Sequence, residues 1–287
     1  MKCSKKFKLD KEAVERIDSE FDDRDLSDYT NYEVYEEEKP RHRFLKKLII
    51  RLLILCGILL VINLAVLLYT GKLWFNEPKK RDYPVRGPVV TDSMGEIRWK
   101  NFAKQNIQTA YIRATKGTTF EDGAFRDNWN GSKDTDITVG AYHVLELDTD
   151  GTKQAEHFIK AVGEDLSGRL IPAVEVRLRG LYRLLPPDYY DAADNLADFC
   201  DKIEEQYGVR PIIYCTERTY KNIVAADSRF DKDKIWYESL FSKPDEDMKW
   251  TFWTYTNRVK FSYYESGEYL HMAVFNGSED DFKKLIL

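Results

Sequence analysis

The chain predicts an α/β fold in which a barrel-like, mostly parallel sheet follows an acidic tail and one apolar helix. Three observations carry that expectation. From about Gly87 onward, short Val- and Ile-rich runs alternate with helical segments, the pattern of strands covered on both faces. Near the C-terminus the helices stop and strand-like runs follow one another. Ahead of all this, the run Leu52 to Tyr69 contains no charged residue.

Taken in order, residues 1–43 are crowded with Asp and Glu, including Asp22, Asp23, Asp25, Asp28, Glu36, Glu37 and Glu38, and hold few apolar residues. Such a segment buries too little surface to fold and is expected to be a disordered tail. Arg41, Arg43, Lys46, Lys47 and Arg51 come next, followed by the uncharged run. At 1.5 Å per residue that run spans roughly 27 Å, close to the hydrocarbon core of a bilayer. Residues 44–71 are therefore expected to form a transmembrane helix with a basic flank. The denser basic cluster precedes the span, which predicts a cytoplasmic N-terminus, an extracytoplasmic C-terminal domain and a single-pass type II arrangement in the cell membrane. Residues 72–86, with Pro78, Pro84 and many charges, are expected as a linker, and residues 87–287 as the folded domain.

Within that domain the expected strands are Pro88–Val90, Ala110–Ala114, Val139–Leu145, Ile171–Val176 and Pro211–Cys215. Helices are expected at Trp99–Gln105, Ala124–Ser132, Thr152–Val162, Tyr190–Tyr207 and near Thr219–Ala225, with Gly208 as a natural stop after the fourth. Lys234–Tyr237, Thr251–Tyr255 and Glu268–Phe275 complete the set as strands. The net charge of −5 argues against nucleic-acid binding. Cys200 and Cys215 fall on apolar elements and read first as core thiols, while an extracytoplasmic location leaves a bond between them open. His42, His143, His157 and His271 are scattered without cysteine partners at zinc spacing, so neither a metal site nor a cofactor is expected.

The segment Gly87-Pro88-Val89-Val90-Thr91-Asp92-Ser93-Met94-Gly95-Glu96-Ile97-Arg98-Trp99 aligns without a gap on the pattern G-I-D-V-S-x-x-x-G-x-I-D-W. Ile112-Arg113-Ala114-Thr115-Lys116-Gly117 is similar to I-K-A-T-E-G. Asp122, Phe125 and Asn128 keep a D-x-x-F-x-x-N spacing. Val139-Gly140-Ala141-Tyr142-His143, Gln154-Ala155-Glu156-His157-Phe158, Pro211-Ile212-Ile213-Tyr214, Trp236 and Trp253-Thr254-Tyr255 follow in order. Together these resemble the glycoside hydrolase family 25 lysozymes, from Gly87 to Phe282. The resemblance implies an irregular (β/α)5β3 TIM-like barrel, peptidoglycan or a related glycan as ligand, and strand C-terminal ends as the place for chemistry.

It also implies carboxylates that this chain lacks. Val89 stands in the place of the family's first catalytic-site aspartate. In Pro172-Ala173-Val174-Glu175-Val176-Arg177, matched to P-x-x-D-x-E, Arg177 replaces the catalytic glutamate and Glu175 alone stays acidic. A late aspartate position falls near His271-Met272-Ala273. Glycoside hydrolysis uses two carboxyl groups, and a guanidinium cannot act as general acid near neutral pH. The expectation is a membrane-tethered domain facing the cell wall that binds glycan without cleaving it. Tyr142, His143, Tyr214, Trp236, Trp253 and Tyr255 are its candidate sugar-binding residues. The alternatives are an active muramidase using Glu175 with a relocated acid (Glu146, Glu217 or Glu238), and a structural module that contacts envelope proteins.

Overall fold

Short runs of β-branched and aromatic residues build the sheet, and their register closes it. The computed structural model describes residues 40–287 apart from Phe75, so the expected tail falls almost wholly outside the described residues. Helix α1 spans Pro40–Tyr69 and is apolar and solvent-exposed from Leu52 onward, with length and composition sufficient to cross a membrane. The barrel strands are β1 (Arg86–Val90), β2 (Thr109–Lys116), β4 (Thr138–Val144), β5 (Ala173–Val176), β6 (Ile212–Thr216), β7 (Ile235–Glu238), β8 (Phe252–Val259) and β9 (Leu270–Phe275). The short β3 (Phe120–Glu121) hangs antiparallel on β2 outside the ring.

The order β1-β9-β8-β7-β6-β5-β4-β2 returns to β1 through a parallel β1–β2 pairing, which closes an eight-stranded barrel. Every neighbouring pair from β1 through β2 and β4 to β8 is parallel, and only β9 runs against its two neighbours. Helices α2 (Trp99–Phe102), α3 (Phe125–Gly131), α4 (Gly151–Val162), α5 (Tyr189–Tyr207) and α6 (Glu217–Thr219, continued by a π turn to Val224) make the connections, and α7 (Glu279–Lys283) ends the chain. The sequence places β1, β2, β4, β5, β6 and the last three strands correctly, to within a few residues at their ends.

Strand alternation sorts side chains onto two buried surfaces. Tyr111, Tyr142, Ala173, Tyr214, Trp236 and Phe252 fill the barrel interior. Ile112, Val174, Ile213, Tyr237 and Trp253 point outward into a second core beneath the helices. Gly87 is required where β1 meets β2, because a Cβ there would lie 1.7 Å from the Thr109 carbonyl oxygen. Cys200 and Cys215 are buried free thiols on the outer core.

The expected linker, residues 72–86, is fastened along the outside of β8 at several of its residues. The Trp74 indole donates to the Tyr255 carbonyl (2.8 Å), and Asn76 donates to the Leu240 carbonyl (3.0 Å). Further down, Tyr83 packs against Trp250 and Trp253, and the Arg86 guanidinium donates to the Pro78 and Tyr83 carbonyls. Burial of these aromatic faces gives the segment a fixed path.

Trp253 shows what this packing costs to disturb. It is 2% exposed, donates from its indole to the Ser239 carbonyl (2.9 Å) and touches Tyr83, Trp250 and Tyr255. Trp253→Ala is expected to lower stability by about 3–5 kcal/mol, the range for truncating a buried tryptophan. Urea unfolding of the full chain followed by circular dichroism checks it; an unchanged midpoint would contradict the buried placement.

Candidate active site

In a parallel barrel the strand C-terminal ends gather at one rim, and the inward-facing residues there come from strands far apart in sequence. β5 contributes Glu175, and the segment just beyond its end contributes Arg177 and Arg179. β6 contributes Tyr214, β7 Glu238 and β9 His271. These residues form one connected ionic cluster. Arg177 Nε donates to Glu175 Oε1 at 2.6 Å, and its Nη1 donates to Glu238 Oε1 at 2.7 Å. A second, short contact joins Arg177 Nη2 to Glu238 Oε2. Arg179 Nη2 reaches both oxygens of Glu175, at 2.7 and 2.8 Å. The Tyr214 hydroxyl donates to Glu238 Oε2 at 2.7 Å, and His271 Nδ1 lies 3.2 Å from the same oxygen.

Glu175, Arg177 and Glu238 side chains are 5, 16 and 8% exposed, so their charges are shielded from solvent and depend on one another. Burial lowers the tendency of Arg177 to stay charged, but Tyr214, Glu238 and Glu175 more than offset this and raise its pKa. For Glu238 burial favours the neutral acid. The hydrogen bonds from His271 and Arg177, with the Arg177 charge, outweigh it and hold the carboxyl well below the usual range. Glu238 is thus an ionised acceptor rather than a proton donor.

A second pair lies on the β2 side of the rim. Arg113 donates to Asp122 (2.8 Å) and Asp92 (2.6 Å). Asp122 also accepts the backbone N–H groups of Asp92 (3.1 Å) and Ala124 (3.0 Å). Burial raises its pKa, against those hydrogen bonds and the Arg113 charge. Its side chain is 1% exposed. Glu146 and Glu217 stand nearer solvent, paired with Lys116 (3.5 Å) and Lys221 (2.6 Å).

The sequence-predicted residues divide between the two surfaces. Glu175, Arg177, Tyr142 and Tyr214 face the interior at or just below the rim, and Val89 faces it from β1, half-buried. Trp236 faces inward too, but deeper: it is 1% exposed, stacks on Tyr214 at 4.4 Å and donates to Thr254 Oγ1 at 2.8 Å. His143, Trp253 and Tyr255 project from the other face of their strands into the outer core, at 0, 2 and 3% exposure. The candidate sugar-binding rings Trp236, Trp253 and Tyr255 therefore do not form one stacking surface, since buried rings on opposite faces of a sheet cannot stack on one sugar.

His143 has a structural task instead. Its Nδ1 accepts from the Thr115 hydroxyl (2.7 Å), and its Nε2 donates to Gln154 Oε1 (3.1 Å), a tautomer that the acceptor oxygen fixes. Gln154 also accepts the Glu146 N–H and donates to the Glu146 and Thr149 carbonyls. Burial pushes the imidazole pKa down to about 3, against the Gln154 hydrogen bond, so the ring stays neutral. The pair ties β4 to α4 and the loop between them.

The sequence reading overlooked Arg179, Arg113 and Asp92. A usable signal was present for the first: Arg179 continues the alternation of Glu175 and Arg177 with Val176 and Leu178, and its side chain reaches Glu175 although the strand ends at Val176.

Removing the central guanidinium exposes this dependence. Arg177→Met is expected to cost about 3–5 kcal/mol at neutral pH, because two buried carboxylates lose their shared partner. The sign with pH follows from Glu238. Its folded pKa lies below the ordinary value of 4.5, so the pairing contributes fully above that value and is lost as pH falls beneath it. The gap between wild type and variant in urea midpoints should therefore narrow in mild acid; a gap that widens there would contradict the ionised state of Glu238.

Comparison with known proteins identifies the family of the fold. Residues 90–263 match the family model described as glycosyl hydrolases family 25. The solved family 25 glycosyl hydrolase of Bacillus anthracis is 31% identical, with a TM-score of 0.66 over 74% of this chain and 97% of that one. The uncharacterised protein YegX of Escherichia coli O157:H7 is 26% identical over 212 residues, 71% of this chain and 74% of YegX. The autolytic lysozyme of Clostridium acetobutylicum is 25% identical over 185 residues, 64% of this chain and 51% of that protein. With its motifs, closed barrel and rim in place, the chain belongs to glycosyl hydrolases family 25.

Proposed function

We propose that this protein is a membrane-anchored pseudoenzyme of its family, facing the cell wall and holding peptidoglycan without cleaving it. The observation that carries the reading is Arg177, a permanent cation in the place of the family's catalytic glutamate, ion-paired to both neighbouring carboxylates. Cleavage needs one carboxyl able to give a proton and a second as nucleophile or base. Glu238 is held ionised, Glu175 accepts from two guanidinium groups, and Val89 offers no oxygen at all. What remains at the rim suits recognition of sugar hydroxyls: Asp92, Arg113, Lys116 and Arg179 are polar, reach solvent and lie around the cluster. Helix α1 supplies the anchor, and the basic residues ahead of Leu52 put the N-terminus in the cytoplasm.

A second reading, a module for envelope proteins, is favoured by one feature. The loop between β5 and α5 exposes Leu181, Leu184 and Leu185 at 66, 80 and 65%, with Tyr190 at 85%. Apolar side chains grouped this way on a surface loop suit a protein partner.

Full-length protein in detergent is expected to sediment with purified peptidoglycan and to release no reducing ends above a buffer control. Arg179→Ala should weaken retention about tenfold, the effect of losing one charged hydrogen bond. Reducing ends that vanish in Glu175→Gln or Glu238→Gln would instead establish an active muramidase. Absence of any sedimentation would favour the protein-partner reading.

The topology has its own check. Protease added to wall-stripped intact cells should digest the domain beyond Asn76, and protection of that domain would reverse the orientation.

A further inference from the structure

Helix α1 does not run out into a free tether. Its last turn is capped where Thr70 N–H donates to the Val66 carbonyl (2.9 Å) and Gly71 N–H to the Leu68 carbonyl (3.2 Å). Gly71 adopts φ +68°, and a Cβ there would fall 1.9 Å from the Arg258 carbonyl oxygen. Only glycine tolerates both the left-handed backbone and that approach. Residues from Ile62 onward belong to the same compact unit as the barrel, so this end of the helix is part of the domain.

At this junction the hairpin between β8 and β9 supplies cations and the helix end supplies rings. The Arg258 guanidinium carbon lies 4.7 Å from the Tyr69 ring centre and 5.1 Å from that of Tyr269. Lys260 Nζ lies 4.5 Å from the Tyr269 ring, and the two tyrosines meet edge-on at 6.4 Å. Neither cation has an acidic partner among the described residues. Both differ in this from Arg113, Arg177 and Arg210, whose charges are matched by carboxylates. A guanidinium held over ring faces keeps N–H donors for phosphate oxygens. An exposed tyrosine at the end of an apolar span, with the half-buried Tyr269 and unmatched basic residues beside it, has the chemistry of the headgroup level of a bilayer.

We infer that the β8–β9 hairpin docks on the leaflet from which the protein's own helix emerges, with Arg258 and Lys260 taking anionic lipid headgroups between Tyr69 and Tyr269. The inference rests on the proposed anchoring by α1. Continuity with the apolar helix selects a lipid phosphate over a phosphate from a soluble source. The docking also has a consequence for the candidate site. β8 is parallel to β7, and Thr254 pairs with Glu238, so Arg258 and Lys260 lie beyond the same barrel end that carries the ionic cluster. The rim is then held close to the membrane surface, where it meets membrane-proximal glycan.

The test uses the full chain in vesicles of phosphatidylcholine, with or without phosphatidylglycerol. Cys3→Ser and Cys56→Ser leave only buried thiols, and a fluorophore is attached through Ser262→Cys near Lys260 or Ser167→Cys at the opposite barrel end. A quencher carried on lipid headgroups should quench the first label and spare the second when phosphatidylglycerol is present. Arg258→Glu with Lys260→Glu should reduce contact at least about 25-fold, about fivefold for each cation lost near an anionic leaflet. Added salt should produce a similar loss in the unaltered cations, which separates the effect from misfolding. Equal quenching of both labels, or indifference to charge reversal and salt, overturns the inference while the anchoring stands. Release of the protein from vesicles by carbonate overturns the anchoring and the docking together.

Discussion

The rim of this barrel is organised around one guanidinium. Arg177 projects from the end of β5 between Glu175 of its own strand and Glu238 of β7, and all three side chains are largely withdrawn from water. In such a place no member is independent. Each carboxylate is tolerable because the cation is there, and the cation is tolerable because two acids and the Tyr214 ring surround it. Arg179 and His271 complete the arrangement from the solvent side. A buried ion pair of this kind is weak evidence of net stabilisation, since apolar replacements can do as well, but it strongly fixes which groups must face one another.

That constraint bears directly on chemistry. A glycosidase needs its carboxyl groups in different protonation states, one ready to give a proton and one ready to accept positive charge. Here Glu175 and Glu238 are drawn into one cluster with Arg177 and Arg179. Hydrogen bonds to Glu238 favour its ionised form, and Glu175 accepts from two arginines. The fold retains the family's scaffold, and the hydrogen bonds and charge around Glu238 hold that one carboxyl ionised. Several motif residues have structural contacts of their own: His143 and Gln154 join β4 to α4, and Asp122 is bound by Arg113 and two backbone N–H groups.

The path between helix and barrel is the second constraint. Trp74, Asn76, Tyr83 and Arg86 fasten the connecting segment along β8, and Gly71 lets the chain pass against the β8–β9 hairpin. Proline and charge made this stretch read as a linker, and they remain compatible with its irregular backbone. Its order comes from aromatic and hydrogen-bonding contacts to residues more than 150 positions away, as in the Trp74 contact with Tyr255.

By itself, the sequence determined the fold class, the apolar helix and the family resemblance. Those follow from local properties: hydrophobic period, the uncharged run from Leu52 to Tyr69, and motif spacing. The alternation of Glu175, Arg177 and Arg179 was equally available, because such a pattern is local. Tertiary structure alone decided which partners complete the cluster, since Glu238 and His271 arrive on β7 and β9. It also decided which parity faces inward. Trp253 and Tyr255 share one face of β8 and Thr254 and Thr256 the other, but both faces of a barrel strand are buried, so the apolar pattern carries no mark of inside and outside. Only closure of the sheet makes that choice, and it sends Trp253 and Tyr255 to the outer core while Tyr142 and Tyr214 line the barrel.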